Sequence, residues 1–315
     1  MERNGHRLAI LSIGMLAIVG ACSSGASAPT STTPAPPTTA SSAPSAAASV
    51  AFASAAPSAE TATPEPPDAL HLVALGDSIP FAGHFCPGCT GFVAQYGSLL
   101  QTRTGRPVLV SNLSRDDGAQ MQDVENQLTS DADLRAKLAA ADVVLLSVGF
   151  NDMLPNWGVG CPGDLGSDAA GYIAWALTTT PDCLKPMYDH FAAEYDTIFS
   201  AITDLRAGKP TVYAVINIHD ANLGGADIEN ANVTKDALAR MDRWMIDQYD
   251  RWNAMECAKA KEHGFECVDV YHAFDGPAGD QVAGAKVIDG AHPSQVGHDV
   301  ITALLAKLDT KTIAP

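Results

Sequence analysis

From Asp68 onward, short apolar runs rich in Val, Ile and Leu alternate with longer stretches whose apolar residues recur every three or four positions. Runs of the first kind, four to eight residues long and mostly apolar, are what strands look like when helices cover both faces of a parallel sheet. Five qualify: Leu70 to Leu75, Pro107 to Ser111, Val143 to Val148, Thr211 to Ile218 and Glu266 to Val270. The clearest helix runs from about Thr234 to Ala260, with Leu238, Met241, Met245, Tyr249, Trp252 and Met255 turned toward the sheet. A last helix begins near Ser294, just after Pro293, with Val296, Val300, Leu304 and Leu308 as its apolar stripe. The alternation predicts an α/β domain built on a five-stranded parallel sheet covered on both faces. In such sheets ligands bind outside the carboxyl ends of the strands, where loops carry polar residues without burying their backbone groups.

The first 67 residues read differently. Arg3 and Arg7 precede an uncharged apolar run from Leu8 to Val19, followed by small residues, the three parts of a secretory signal. That run falls short of the roughly 20 apolar residues a membrane span needs. It ends in Val19-Gly20-Ala21-Cys22, which resembles the lipobox of bacterial lipoproteins. The resemblance implies cleavage after residue 21 and lipidation of Cys22, which would anchor the protein on the outer face of a bacterial membrane. The alternative is an ordinary signal peptide with an incidental cysteine. Residues 23 to 67 are almost wholly Ala, Ser, Thr and Pro, a composition that cannot bury a core. With Cys22 they are expected to form a disordered, extended linker, leaving 68–315 as the folded domain.

Charge narrows the partners. The 315 residues carry 19 Lys and Arg against 36 Asp and Glu, a net charge of −17. Removing Glu2, Glu60, Glu65, Arg3 and Arg7 leaves 33 acids and 17 bases, so the acidity belongs to the domain. Nucleic-acid binders depend on clustered Lys and Arg, and no such cluster exists here, so no nucleic-acid partner is expected. Besides Cys22 there are six cysteines, an even number that outside the cytoplasm suggests disulfides. They fall in three local pairs, predicting Cys86 with Cys89, Cys161 with Cys183, and Cys257 with Cys267. For Cys86-Pro87-Gly88-Cys89 a redox dithiol or half of a metal site, with His84 nearby, are the alternatives; a zinc ribbon would want a second pair at matching spacing.

The loops after the strands hold the candidate chemistry: Gly76-Asp77-Ser78 after the first, Asn112 and Gly118 after the second, Gly149-Phe150-Asn151-Asp152 after the third, and Asp289-Gly290-Ala291-His292-Pro293 before the last helix. A serine hydroxyl is a weak nucleophile and needs a base, usually a histidine whose tautomer a carboxylate fixes. Ser78, His292 and Asp289, three residues before the histidine, supply that set. An oxyanion hole needs donors aimed at charge that develops in the transition state. The Asn151 side-chain amide is one candidate, and the backbone N–H groups of Ser78 and Gly118 are the others.

These loops in this order resemble the SGNH, or GDSL, family of esterases and lipases, over essentially all of Leu70 to Leu308. The resemblance implies a three-layer αβα sandwich of flavodoxin-like topology and an acyl-enzyme mechanism. Ser78 would be the nucleophile, His292 the base and then the acid, Asp289 its orienter, and Ser78 N–H, Gly118 N–H and Asn151 the oxyanion hole. No cofactor and no metal is implied. The expected substrate is a carboxylic ester: an acylated glycan, a lysolipid or a short-chain ester. The protein is expected to be a monomer. Two departures from the family pattern stand out: the charged stretch Ser114-Arg115-Asp116-Asp117 before Gly118, and an insertion after Asn151 carrying Trp157, Cys161, Trp175 and Cys183 that could form a stapled lip.

Other residues admit plainer readings. Asp77 and Asp152 are expected to bond their own turns rather than touch substrate. His219 either faces an acyl or leaving group or is a solvated loop histidine, while His84, His272 and His298 have no evident partner. Trp244 and Trp252 are expected in the core. Two rival functions remain: an O-acyltransferase using the same triad, and a tethered binding protein on a catalytically silent scaffold.

Overall fold

The computed structural model describes residues 65–153, 161–163 and 168–313. The leader, Cys22 and the linker up to residue 64 lie outside the described residues, as does Trp157 of the insertion. Glu65 pairs with His71 (2.6 Å), and the Pro66 carbonyl accepts from Ala69 N–H (3.1 Å). The chain therefore touches the domain three residues before Asp68.

In chain order the elements are β1 (Leu70–Gly76), α1 (Ser78–Phe81), α2 (Phe92–Thr104), β2 (Val108–Asn112), α3 (Met121–Ser130), α4 (Ala132–Ala140), β3 (Val143–Ser147), α5 (Ala169–Ala176), α6 (Pro181–Leu205), β4 (Val212–Ile216), α7 (Ala226–Glu229), α8 (Lys235–Glu262), β5 (Glu266–Val268), α9 (Val270–Asp275) and α10 (Gln295–Leu305). The five strands pair in parallel in the order β2-β1-β3-β4-β5. This is the flavodoxin-like doubly wound order, whose switch point lies between β1 and β3.

Alternate residues of each strand feed two separate cores, because successive side chains point to opposite faces. Leu72 and Ala74 of β1, Val143 and Leu145 of β3, and Ala214 and Ile216 of β4 pack with α2 and α10. Val73, Leu75, Val144, Leu146 and Val215 pack on the other face with α3, α4, α6 and α8. The result is a three-layer αβα sandwich, and the near-continuous apolar runs in the sequence are its direct consequence. Thr234 caps α8 by accepting from Ala237 N–H (3.2 Å), and Met241, Met245, Tyr249 and Trp252 are buried along its inner face. Trp244 is only partly buried; its Nε1 donates to Thr179 Oγ1 (2.7 Å).

The second and fifth strands, expected to be buried like the rest, are the edges of the sheet: in β2 Leu109 is 36% and Val110 42% exposed, and in β5 Glu266 is exposed. The stripe expected on the last helix is displaced by one residue. Gly297, His298, Ile301 and Leu305 face inward, while Val296 is 51% exposed and Val300, Leu304 and Leu308 only flank the core. The reason is a close approach: a Cβ on residue 297 would fall 2.1 Å from the Lys286 carbonyl oxygen, so the helix docks through its glycine.

Cys86 is bonded to Cys89, Cys161 to Cys183 and Cys257 to Cys267. The last bridge ties α8 to β5, and the second ties the segment after Asn151 to the start of α6. Among the described residues no helix is long and apolar enough to cross a membrane.

Candidate active site

The parallel register brings Gly76 of β1 level with Ser147 of β3, and Ala74 level with Asn112 of β2. Three loops therefore leave the sheet together at the switch point. At the first, the backbone turns at Gly76 with φ +133°, and a Cβ there would lie 1.8 Å from the Ser147 carbonyl oxygen; only glycine fits. Asp77 N–H donates to that carbonyl (3.1 Å), and Asp77 Oδ1 accepts from Ile79 N–H (3.0 Å), capping the short helix that opens with Ser78. Asn112 fastens the turn from the neighbouring strand, its Nδ2 donating to the Pro80 carbonyl (2.7 Å). Ser78 is thus presented on a braced turn and is 7% exposed.

His292 arrives from a loop far along the chain. Its Nε2 lies 3.0 Å from Ser78 Oγ and its Nδ1 2.8 Å from Asp289 Oδ2. The other carboxylate oxygen, Oδ1, accepts from the backbone N–H of Ala291 (3.1 Å) and His292 (2.8 Å). Burial raises the affinity of the Asp289 carboxyl for its proton, yet the hydrogen bonds and charge of His292 outweigh it and hold the group below the usual carboxylate range. An ionised carboxylate, an imidazole and a hydroxyl therefore stand in one hydrogen-bonded series.

The candidate oxyanion donors come from loops fastened to each other. Gly118 sits in a left-handed turn (φ +76°) with open space where a Cβ would point. Asn151 Nδ2 donates to the carbonyl of Ala119 (2.9 Å), and Gln120 Nε2 donates to the carbonyl of Asn151 (2.9 Å). Just beyond, Asp152 accepts from Met121 N–H at 3.1 and 3.2 Å from its two oxygens. The charged stretch before Gly118 is tied together by its arginine: Arg115 Nε donates to Asp117 Oδ1 (3.0 Å), and Arg115 also pairs with Asp123 (3.6 Å).

The remaining candidates sort themselves by burial. Asp77 bonds its own turn as expected, but Asp152 does not: its carboxyl reaches across to Met121 N–H at the start of α3; burial pushes the two carboxyls up to about 7 and about 8. His219 is not a solvated loop histidine: it is 1% exposed and packs between Phe150 and Phe274, with burial pushing it down to about 4. His84 lies 3.5 Å from Asp116, His272 2.7 Å from Asp269, and buried His298 accepts from Phe92 N–H (3.4 Å). Sequence reading gave no part to Phe85, whose ring lies flat on His292, or to Asn112 and Gln120 as braces. Their partners are distant in sequence and no local spacing marks them.

A doubly wound sheet with a serine, a histidine and a carboxylate in series at its switch point has the form of a serine hydrolase site. The chain belongs to the GDSL-like lipase/acylhydrolase family, whose residue pattern matches residues 74–300. As a member it is a carboxylic ester hydrolase. Its fold is similar to that of the lipase Lip_vut3 from a goat rumen metagenome (TM-score 0.53, 16% identity, 76% of this chain and 98% of that one). It is also similar to phospholipase A1 from Streptomyces albidoflavus NA297 (TM-score 0.50, 19% identity, 76% and 99%). A comparison with curated proteins found no match.

Proposed function

We propose that the protein is an exported serine esterase that forms an acyl-enzyme on Ser78. The observation that carries this reading is the series Asp289 Oδ2, His292 Nδ1, His292 Nε2, Ser78 Oγ, with contacts of 2.8 and 3.0 Å. His292 Nε2 takes the hydroxyl proton as Ser78 Oγ attacks the ester carbonyl carbon. The carbonyl oxygen becomes an oxyanion facing Ser78 N–H, Gly118 N–H and the Asn151 amide. His292 then gives the proton to the departing alkoxide, and the alcohol leaves. A water repeats the sequence on the acyl-serine, releasing the acid and restoring Ser78. Asp289 keeps Nδ1 protonated and stabilises the imidazolium in between.

The substrate is a carboxylic ester such as an acylated glycan, a lysolipid or a short-chain ester, and a soluble ester is favoured over a packed lipid surface. In the segment 276–293 that leads to the histidine, Val282 and Ile288 are the exposed large apolar side chains among the described residues, a small apolar surface beside the site. Export rests on the leader-like first 21 residues and on three disulfides, which form in oxidising compartments. Residues 1–21 are then removed, Cys22 carries the lipid, 22–67 form the spacer and 68–315 the catalytic domain.

Incubation of the protein with a fluorophosphonate, followed by intact mass and peptide mapping, tests the site, alongside a panel of short to long acyl esters. One adduct on Ser78 together with ester turnover is the expected result. Turnover with the adduct on another residue would overturn the assignment, and acyl transfer to glycan hydroxyls without release of free acid would make the protein a transferase. For the anchor, incorporation of labelled fatty acid should vanish in Cys22→Ala; unchanged incorporation would remove Cys22 as the lipid site.

A further inference from the structure

An aromatic ring covers the catalytic imidazole. The rings of Phe85 and His292 stack with centroids 3.7 Å apart and planes within 7° of parallel. Phe85 ends a 3-10 turn, Gly83–Phe85, closed by a hydrogen bond from Phe85 N–H to the Ala82 carbonyl (3.0 Å). Ala82 adopts φ +60°, the one positive value at a non-glycine among the described residues, so the turn holds a costly backbone conformation in order to place the ring.

The segment from Ala82 to Thr90 is fastened on both sides. Immediately after Phe85 comes buried Cys86, bonded to Cys89 across a tight turn in which Cys89 N–H donates to the Cys86 carbonyl (3.0 Å). At the far end Thr90 N–H donates to Gln295 Oε1 (2.9 Å), on the helix that directly follows His292. On the near side His84 packs against the Phe85 ring (4.2 Å between centroids) and reaches Asp116, in the loop that carries Gly118. The strap therefore bridges the loop of the base and the loop of a candidate oxyanion donor.

Two hydrogen bonds hold the imidazole at Nδ1 and Nε2 but leave it able to tilt about the line between those two atoms. A ring lying flat on one face removes that freedom and keeps water off that face. The electron-rich face of a benzene ring also attracts a cation placed over it, and His292 becomes one when it accepts the Ser78 proton. The charged and titratable groups around His292 are few: Asp289 in plane, His219 beyond the Ala291 backbone and held neutral by burial, and His84 with Asp116 beyond Phe85.

We propose that Phe85 is a positioning residue: held by the Cys86–Cys89 strap, it keeps the His292 ring aligned between Asp289 and Ser78 and stabilises the imidazolium formed in the reaction. The proposal rests on the esterase reading above.

The test compares Phe85→Leu, Phe85→Tyr and the double variant Cys86→Ala/Cys89→Ala with the parent, in the full chain. The readouts are kcat/KM against pH with a short-chain ester, and the rate of fluorophosphonate labelling at Ser78. Leucine keeps the apolar cover and loses the ring face, so kcat/KM and the labelling rate should fall about 10-fold, with KM changed by less than about twofold. The acidic limb of the profile should move about 0.5 pH unit lower, because the cationic form of the histidine has lost its partner. Tyrosine should restore both, and the double variant, which keeps Phe85 but frees the strap, should share the leucine shift in part. A leucine variant with the parent's rate and limb would overturn the proposal. So would a tyrosine variant as impaired as leucine, since that would make the position one of shape alone. A double variant with the parent profile would remove the bridge from the account. Absence of Ser78 labelling in the active parent would instead sink the esterase site itself.

Discussion

Two sets of carboxyl groups in the domain differ in what surrounds them, and their proton affinities shift in opposite directions. Asp289 has a side chain 32% exposed and accepts from two backbone N–H groups as well as the His292 ring, and these donors outweigh its burial. Asp77, Asp152 and Glu256 are buried inside the domain, where desolvation outweighs the donors available. Their carboxyls are pushed up to about 7, to about 8 and well above the usual range respectively. The contrast teaches that proximity to the site does not make a carboxyl part of the chemistry. Asp289 is the group whose donors beat its desolvation, and it stands beside the His292 ring.

The sharpest way to break this contrast is at its centre. Ser78→Ala should leave the fold and substrate binding intact and lower kcat by roughly 10⁴-fold or more, measured by steady-state ester hydrolysis. A variant keeping most of its activity would remove the site altogether. Next comes Asp289→Asn, which keeps the shape but loses the charge and the acceptor for Nδ1–H; kcat/KM should fall by up to about 10⁴-fold. A loss under tenfold would mean that backbone contacts alone orient His292.

Asn151→Ala should lower kcat by about 10²- to 10³-fold if its amide stabilises the oxyanion. A change under tenfold would reassign Asn151 to bracing the 118–121 loop through Ala119.

The smallest kinetic effect is expected at Asp152→Asn, under about tenfold in kcat/KM, because this carboxyl bonds Met121 N–H and an amide oxygen can do the same. Its signature is thermal. A carboxyl whose folded value is raised from 3.8 to about 8 is no burden below its unfolded value and destabilises the fold increasingly as pH rises through about 8. The melting temperature of Asp152→Asn relative to the parent should therefore climb by several degrees between pH 5 and pH 8. A pH-independent difference would show that Asp152 ionises normally in the folded protein.

How much of this could be read from the sequence depended on whether the information was local. The strands were legible because a sheet covered on both faces demands unbroken apolar runs. That β2 lies at an edge was not, since strand order is a property of the whole chain. The last helix shows the limit of periodicity: Val296, Val300, Leu304 and Leu308 repeat as regularly as Gly297, Ile301 and Leu305, and only the approach of Lys286 to Gly297 selects the second set. Asp289 and His292 were found because a carboxylate three residues before a histidine reaches its Nδ1 within one loop. Phe85 carries no such local mark, because it meets that loop only through the tertiary fold, and for His219, a candidate from its place after the fourth strand, the sequence does not show that it is buried.

The most direct measurement is rapid quenching of the enzyme during turnover of a chromogenic ester, followed by mass analysis of its peptides. A burst of released alcohol with the acyl mass on the Ser78 peptide, abolished in Ser78→Ala, is the predicted result. Full turnover with no burst in Ser78→Ala, or an acyl group on a different residue, would contradict the central claim that Ser78 carries the reaction.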